Sequence, residues 1–296
     1  MMPLFSEMSK LRETPMFERM SASFGLARSA WLVLLGDKKL VVFPLISGFC
    51  CLLVVASFLA PIAVSERLQK LFVDEQSPLV WAYLFAFYFV NYFVIVFFNT
   101  ALVACALKRF NGEETTLGEG LSSSISRLPH IIAWALVSAT VGVLLKAIEN
   151  MHEKIGAIIS GILGTGWSII TFFVIPILVV ENTGPIDALK RSLAILKKTW
   201  GEALIGNFGL GIFTFLLLLP GLGILGVGAW LFTAVSPILG GVVVGLGVLY
   251  LILWGAASSA LNGIFVSALY QYAAQGKIPG AFEPRQIEQA FRAKTA

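Results

Sequence analysis

Residues 184–200, GPIDALKRSLAILKKTW, carry apolar side chains at Ile186, Leu189, Leu193 and Leu196, with Lys190 and Arg191 between them and Lys197 and Lys198 directly after. Steps of three and four predict a helix with one apolar stripe. Beyond Glu202 the alternation stops, and residues 203–276 hold no charged side chain. Four shorter uncharged runs come earlier, at 40–65, 76–107, 128–145 and 155–180. A helix needs about 20 apolar residues to cross the hydrocarbon of a bilayer, so each of these predicts one span. The last run holds 74 residues and must fold back, at Pro220-Gly221-Leu222-Gly223 or at Ser236-Pro237. Residues 221–235 are then either a re-entrant turn or the ends of two long helices.

Amphipathic stretches precede the odd-numbered spans. Thr14-Pro15 is a helix start, followed by Phe17, Met20, Phe24, Ala27 and Trp31 on one face with Arg19 and Arg28 off it. Gly36 closes that helix, and Asp37-Lys38-Lys39 opens the first span. A second stretch begins with the capping box Thr116…Glu119 and presents Leu117, Leu121, Ile125 and Leu128, with Pro129 opening the third span. The third begins at Gly184-Pro185. LARSAWLVLL at 26–35 aligns with LKRSLAILKK at 189–198, Arg-Ser in register, whereas the middle copy has Ser126-Arg127. The expected fold is all-α, a polytopic six-helix transmembrane bundle in one domain. It is built from three amphipathic-helix-plus-hairpin units at 15–107, 116–180 and 185–273, with a flexible N-terminus at 1–14 and a tail at 277–296.

Charge fixes the expected number of crossings. Six spans put 17 of the 21 Lys and Arg on one side and leave Arg67, Lys70, Lys146 and Lys154 on the other. Positive charge stays cytoplasmic, so both termini are expected there, and a seventh span would strand the C-terminal cations outside. Arg19, Arg28, Lys38, Lys39, Arg127, Lys190, Arg191, Lys197 and Lys198 are thus placed among lipid headgroups, on helices that lie along the interface. Each cation near an anionic leaflet contributes about 1 kcal/mol. Anionic membrane lipids are the expected partners.

Composition agrees. The 296 residues are 57% hydrophobic and 13% charged, with a mean hydropathy of +0.86, whereas a soluble domain carries about a quarter charged residues. The net charge of +4 does not indicate nucleic acid, because the cations flank apolar runs instead of forming a patch. Cys50, Cys51 and Cys105 all lie within apolar runs, with no metal or disulfide spacing. No signal peptide is expected, the first long apolar run beginning at Leu40.

Candidate chemistry is sparse. His130 and His152 fall near opposite ends of spans, and His152 beside Glu149 and Glu153 reads as a solvated turn. No G-x-S-x-G, H-E-x-x-H or P-loop pattern occurs, so no catalytic residue, metal or cofactor is expected. No acidic or basic residue lies inside a span, where ion-coupled transporters place them. Asn91, Asn99, Asn207 and Asn262, with Ser258 and Ser259, are the polar groups within spans, as helix glue or as a polar path. Gly156, Ser160, Gly164 and Ser168 recur every four residues, and Gly241 and Gly245 form G-x-x-x-G. Such stripes pack helices closely, and one left facing lipid implies a homo-oligomer.

The segments GLARSAWLVLL, DALKRSLAILKKTWGEALIGNFGLG and TTLGEGLSSSISRLPHIIAWAL resemble prokaryotic six-span integral membrane families of unknown function. They also resemble the membrane domain attached to some glycerophosphodiester phosphodiesterases. The likeness spans about residues 16–272 and implies a multi-pass protein of the cytoplasmic membrane. The soluble phosphodiesterase domain is absent here, so the likeness carries no catalytic residue and no such activity. The expected function is a non-enzymatic protein that interacts with lipid or organises the membrane, with a passive channel or transporter for a small or amphiphilic solute as the alternative.

Overall fold

The computed structural model describes residues 16–73, 77–151, 155–280 and 282, with side chains placed for all of these except 16–24, 67, 71, 73 and 198–209. The Thr14-Pro15 helix start, the segment 1–14, His152, Glu153, Lys154 and most of the tail lie outside the described residues. For Arg19, Lys198, Glu202 and Asn207 only the backbone is described.

Helix α1 covers Met16–Gly36, and a short 3-10 turn at Lys38–Val41 leads into α2, Val42–Val64. A short helix, α3 at Glu66–Val73, precedes α4 at Pro78–Phe110. Then come α5 at Leu117–Ser126, α6 at Leu128–Met151, α7 at Ile155–Ile170 and α8 at Val174–Val180. Two long helices close the described chain, α9 at Pro185–Ala234 and α10 at Pro237–Gln275. Among the described residues six stretches are long and apolar enough to cross a membrane: Lys38–Val64, Pro78–Phe110, Leu128–Met151, Ile155–Val180, Leu210–Ala234 and Pro237–Gln275. The protein is an all-α, multi-pass membrane protein.

The chain divides into two compact units, Lys38–Leu196 and Met1–Asp37 with Lys197–Ala296. In the first, α4 is the hub, packed against α2, α5, α6 and α8. Its buried run Thr100, Ala101, Leu102, Val103, Ala104, Cys105 and Ala106 is mostly small, which lets neighbours approach from several sides. Gly120 of α5 is buried where an added Cβ would lie 2.5 Å from the Phe43 ring and 2.8 Å from Cys105 Sγ. Toward the other end of α4, Tyr83 stacks edge-on with Phe58 of α2 and Phe72 of α3, and its hydroxyl donates to the Phe58 carbonyl. Trp134 of α6 and Trp167 of α7 lie parallel, centroids 5.8 Å apart. Gly156 meets the Ile148 and Glu149 carbonyls, and Gly164 meets Leu145, so this half of the small-residue stripe packs on α6. Ser160 is half-buried. Ser168 is exposed, its hydroxyl donating back to the Gly164 carbonyl at 3.0 Å.

The fourth span is not one helix. Pro176 has no N–H for the Phe172 carbonyl, and the chain steps through tighter turns at 171–173, Val174 N–H going to the Thr171 carbonyl at 3.0 Å. The break brings the Ile170 carbonyl and the Phe173 N–H within reach of α9. Ser192, fully buried on α9, serves both: its hydroxyl donates to Ile170 O at 2.6 Å and accepts from Phe173 N–H at 3.2 Å. In lipid an unsatisfied backbone group costs several kcal/mol, so a break in a span needs such a partner.

In the second unit α1 packs on α10, with Leu26, Ala27, Ala30, Val33 and Leu34 buried, and Trp31 meets Phe213 edge-on at 5.9 Å. The turn between the last two spans lies at Val235-Ser236, and residues 221–234 are ordinary helix. Pro220 does not turn the chain because α10 supports it. Tyr250 lies over Gly221, its hydroxyl donating to the Leu217 carbonyl at 2.6 Å, and Trp254 Nε1–H donates to the Thr214 carbonyl at 2.8 Å. The third amphipathic stretch is likewise not a separate helix: α9 begins at Pro185 and continues into the span. Alanine, leucine and lysine from 188 to 198 favour helix, and nothing in the sequence interrupts it.

The glycines that matter in this hairpin are not the expected pair. Gly241 and Gly245 are exposed with nothing within 4 Å of an added Cβ. Close approach occurs at Gly221 and Gly228 of α9 and at Gly240 and Gly247 of α10. Each pair is seven residues apart, two helical turns, and so marks one face. Gly276 ends α10 in the left-handed region at φ 66°, with its own N–H on the Tyr272 carbonyl and Lys277 N–H on Gln271.

Candidate functional site

A polar pocket forms where α4 ends and α5 begins. Lys108 and Arg109 stand in the last turn of α4, where cations favour the carbonyl end of the helix dipole. Gly112, at φ 80°, lets the chain reverse, its N–H donating to the Arg109 carbonyl at 3.0 Å. Thr116 then caps α5, its hydroxyl oxygen accepting from Glu119 N–H at 3.2 Å. Only this half of the capping box forms, because the Glu119 carboxylate reaches sideways to Lys108 Nζ at 3.1 Å. Lys39 Nζ donates to the Thr115 carbonyl at 3.3 Å, tying the start of the first span to the same loop.

Ser124 is completely buried on α5, and its hydroxyl donates to the Phe97 carbonyl of α4 at 2.7 Å. Arg127 follows between α5 and α6. Its Nε and Nη2 donate to the Val179 carbonyl at 3.0 and 2.7 Å, and Nη1 donates to the Ser123 carbonyl, Ser123 Oγ and Ser126 Oγ. Val179 lies in the last turn of α8, where carbonyls have no helical donor. Arg127 was expected among headgroups; its side chain is half-buried, and two of its donors go to a helix end. Burial lowers its pKa from the ordinary value, but an arginine starts so high that it stays charged.

Between these groups lies a pocket of about 250 Å³. Ala104 and Cys105 form its floor with Gly120, and Lys108, Glu119 and Arg127 supply its charge. Ser122, Ser123 and Ser126 add hydroxyls. Cys105, fully buried, directs its thiol to the Thr116 carbonyl at 3.8 Å. Sequence reading found Arg127 but not Lys108, Glu119 or the serines as a set. The one available signal was the SSSIS run at 122–126, which leads directly into Arg127.

Residues 79–280 match a family of unknown function, DUF6159, over more than half of the chain. The chain belongs to that family. The matched region begins one residue into α4 and ends past Gly276, so it takes in the whole pocket, the broken fourth span and the α9–α10 hairpin. No curated protein matches the chain.

The remaining expected site residues of this DUF6159 member scatter. Arg28, Lys38 and Lys197 are exposed. Lys190 is exposed and faces Asp187 at 3.7 Å, and Arg191 pairs with Glu181 at 2.9 Å. Asn91 donates its amide to the Phe87 carbonyl of its own helix at 2.9 Å, Asn99 is half-buried on the same helix, and Asn262 is exposed on α10. Ser258 is half-buried and Ser259 exposed. The basic stretches share a device the sequence hid: Ser29, Ser124 and Ser192, one in each, are all buried.

Proposed function

We propose that this family member is a non-enzymatic membrane protein that engages anionic lipid headgroups through its short basic helices, with both termini on the cytoplasmic side. One observation carries the reading. Helix α5 buries its small face, Gly120 and Ser124, against the protein and leaves Ile125 61% exposed. A short helix that turns an apolar side chain outward beside Lys108 and Arg127 suits the boundary between headgroups and acyl chains. The other stretches behave alike, with Leu32 and Leu35 exposed on α1 and Ile186 exposed near the start of α9. A spin label at Ile125→Cys, in protein reconstituted in bilayers, is expected to relax faster with oxygen than with a water-soluble nickel chelate. The reverse order at 125, matching that at the outward polar Ser122, would remove the interfacial helix and with it the reading.

A passive channel or transporter is the second reading. Asn99 supports it: its amide sits in the second span, half-buried, without a hydrogen bond among the described residues. Replacing Asn91 and Asn99 together by Leu should then abolish solute flux into proteoliposomes while leaving the melting temperature within about 2 °C. A drop in stability with no flux in either protein would assign the two amides to helix packing.

A further inference from the structure

We infer that the pocket between α4 and α5 is a binding site for a single phosphate group, carried by an anionic phospholipid headgroup. The inference rests on the lipid-engaging reading and adds to it a place and a ligand chemistry.

Charge comes first. Lys108 and Arg127 bring two positive charges to a cavity that holds one carboxylate, Glu119, so its balance is positive before any ligand enters. Donors come second. Lys108 spends one of its three N–H groups on Glu119, and the guanidinium of Arg127 keeps one Nη2–H beyond its bond to Val179. Ser122 is exposed and makes no hydrogen bond among the described residues. An ammonium, a guanidinium edge and a hydroxyl on one rim match the three oxygens of a phosphate, which accepts charge-assisted bonds from all of them.

Size and depth point to the carrier. About 250 Å³ is room enough for a phosphate with a short attached group. The pocket lies where the second span ends and the third begins, Lys108 in the last turn of one and Arg127 just before the other. Ends of spanning helices sit at headgroup level. Glu119 acts as an internal competitor: a phosphate takes its place on Lys108, so ligand affinity is set against the 3.1 Å ion pair.

The competitor gives the test a direction that unfolding cannot imitate. The full-length protein in detergent is titrated with phosphatidic acid, phosphatidylcholine or inorganic phosphate, and bound species are counted by native mass spectrometry. Phosphatidic acid is expected to bind, Lys108→Gln to weaken it roughly five- to tenfold, and Glu119→Gln to tighten it by a similar factor, since each change shifts one charge near the ligand. Both side chains are about half exposed, so neither substitution threatens folding. Inorganic phosphate binding as tightly, with the same opposite responses, would keep the phosphate site while overturning the lipid reading. Equal binding of phosphatidylcholine and phosphatidic acid, or binding indifferent to both substitutions, would overturn the site itself.

Discussion

Gly240→Ala should destabilise the protein by about 3 kcal/mol or more, while Gly241→Ala, one residue later, should be neutral or slightly stabilising. A Cβ at 240 falls on the backbone nitrogen and Cα of Phe232, and backbone cannot swing aside as a side chain does. The two helices would have to separate, which also strips Gly228 from Val244 and Gly221 from the Tyr250 ring. In a bilayer no hydrophobic force holds helices together, so lost contact between backbones is lost stability. At 241 an added methyl meets open space and removes the entropic penalty of a helical glycine. Thermal unfolding of the purified variants measures the contrast: the first should melt roughly 5 °C or more below the parent and the second at or above it. Similar melting of both would mean that α9 and α10 do not pack at Gly240.

Arg127→Gln is the second large effect, an expected loss of about 2–4 kcal/mol. The guanidinium holds the Val179 carbonyl with two donors and the Ser123 carbonyl with a third, at a helix end with no other donor for Val179 among the described bonds. Charge-assisted bonds are worth about 1.5–3 kcal/mol each, and the stranded carbonyl adds its own cost. Lysine is the discriminating control. As a headgroup cation Arg127 would tolerate Arg127→Lys with full retention, since the charge is kept. As a tie between α5 and α8 it would not, because an ammonium cannot fork onto Val179 and reach Ser123 together. Melting of Arg127→Lys is expected to lie near that of Arg127→Gln.

Much of the fold was legible. Runs of apolar residues marked six spans, and the Thr116 cap marked the start of the helix that builds the pocket. The pocket itself was not legible. Lys108 and Glu119 are eleven residues apart and read separately as an end-of-span cation and half of a capping box. Their pairing depends on how α5 folds back over α4, which Gly120 permits by having no side chain between Phe43 and Cys105. The serines were hidden for a related reason. Ser124 and Ser192 look like solvent-facing positions on basic helices, yet each is buried because a carbonyl on a neighbouring helix accepts its proton.

The amino-acid sequence alone determined that the chain is helical and that it holds six stretches long and apolar enough to cross a membrane, since burial in lipid selects by composition and length. Tertiary structure alone decided at which glycines an added side chain would collide with a neighbour, where the last hairpin turns, and which cations bond within the protein. Those outcomes depend on how each helix is rotated toward its neighbours. Rotation is set by contacts between residues far apart in the chain, which a one-dimensional pattern does not contain.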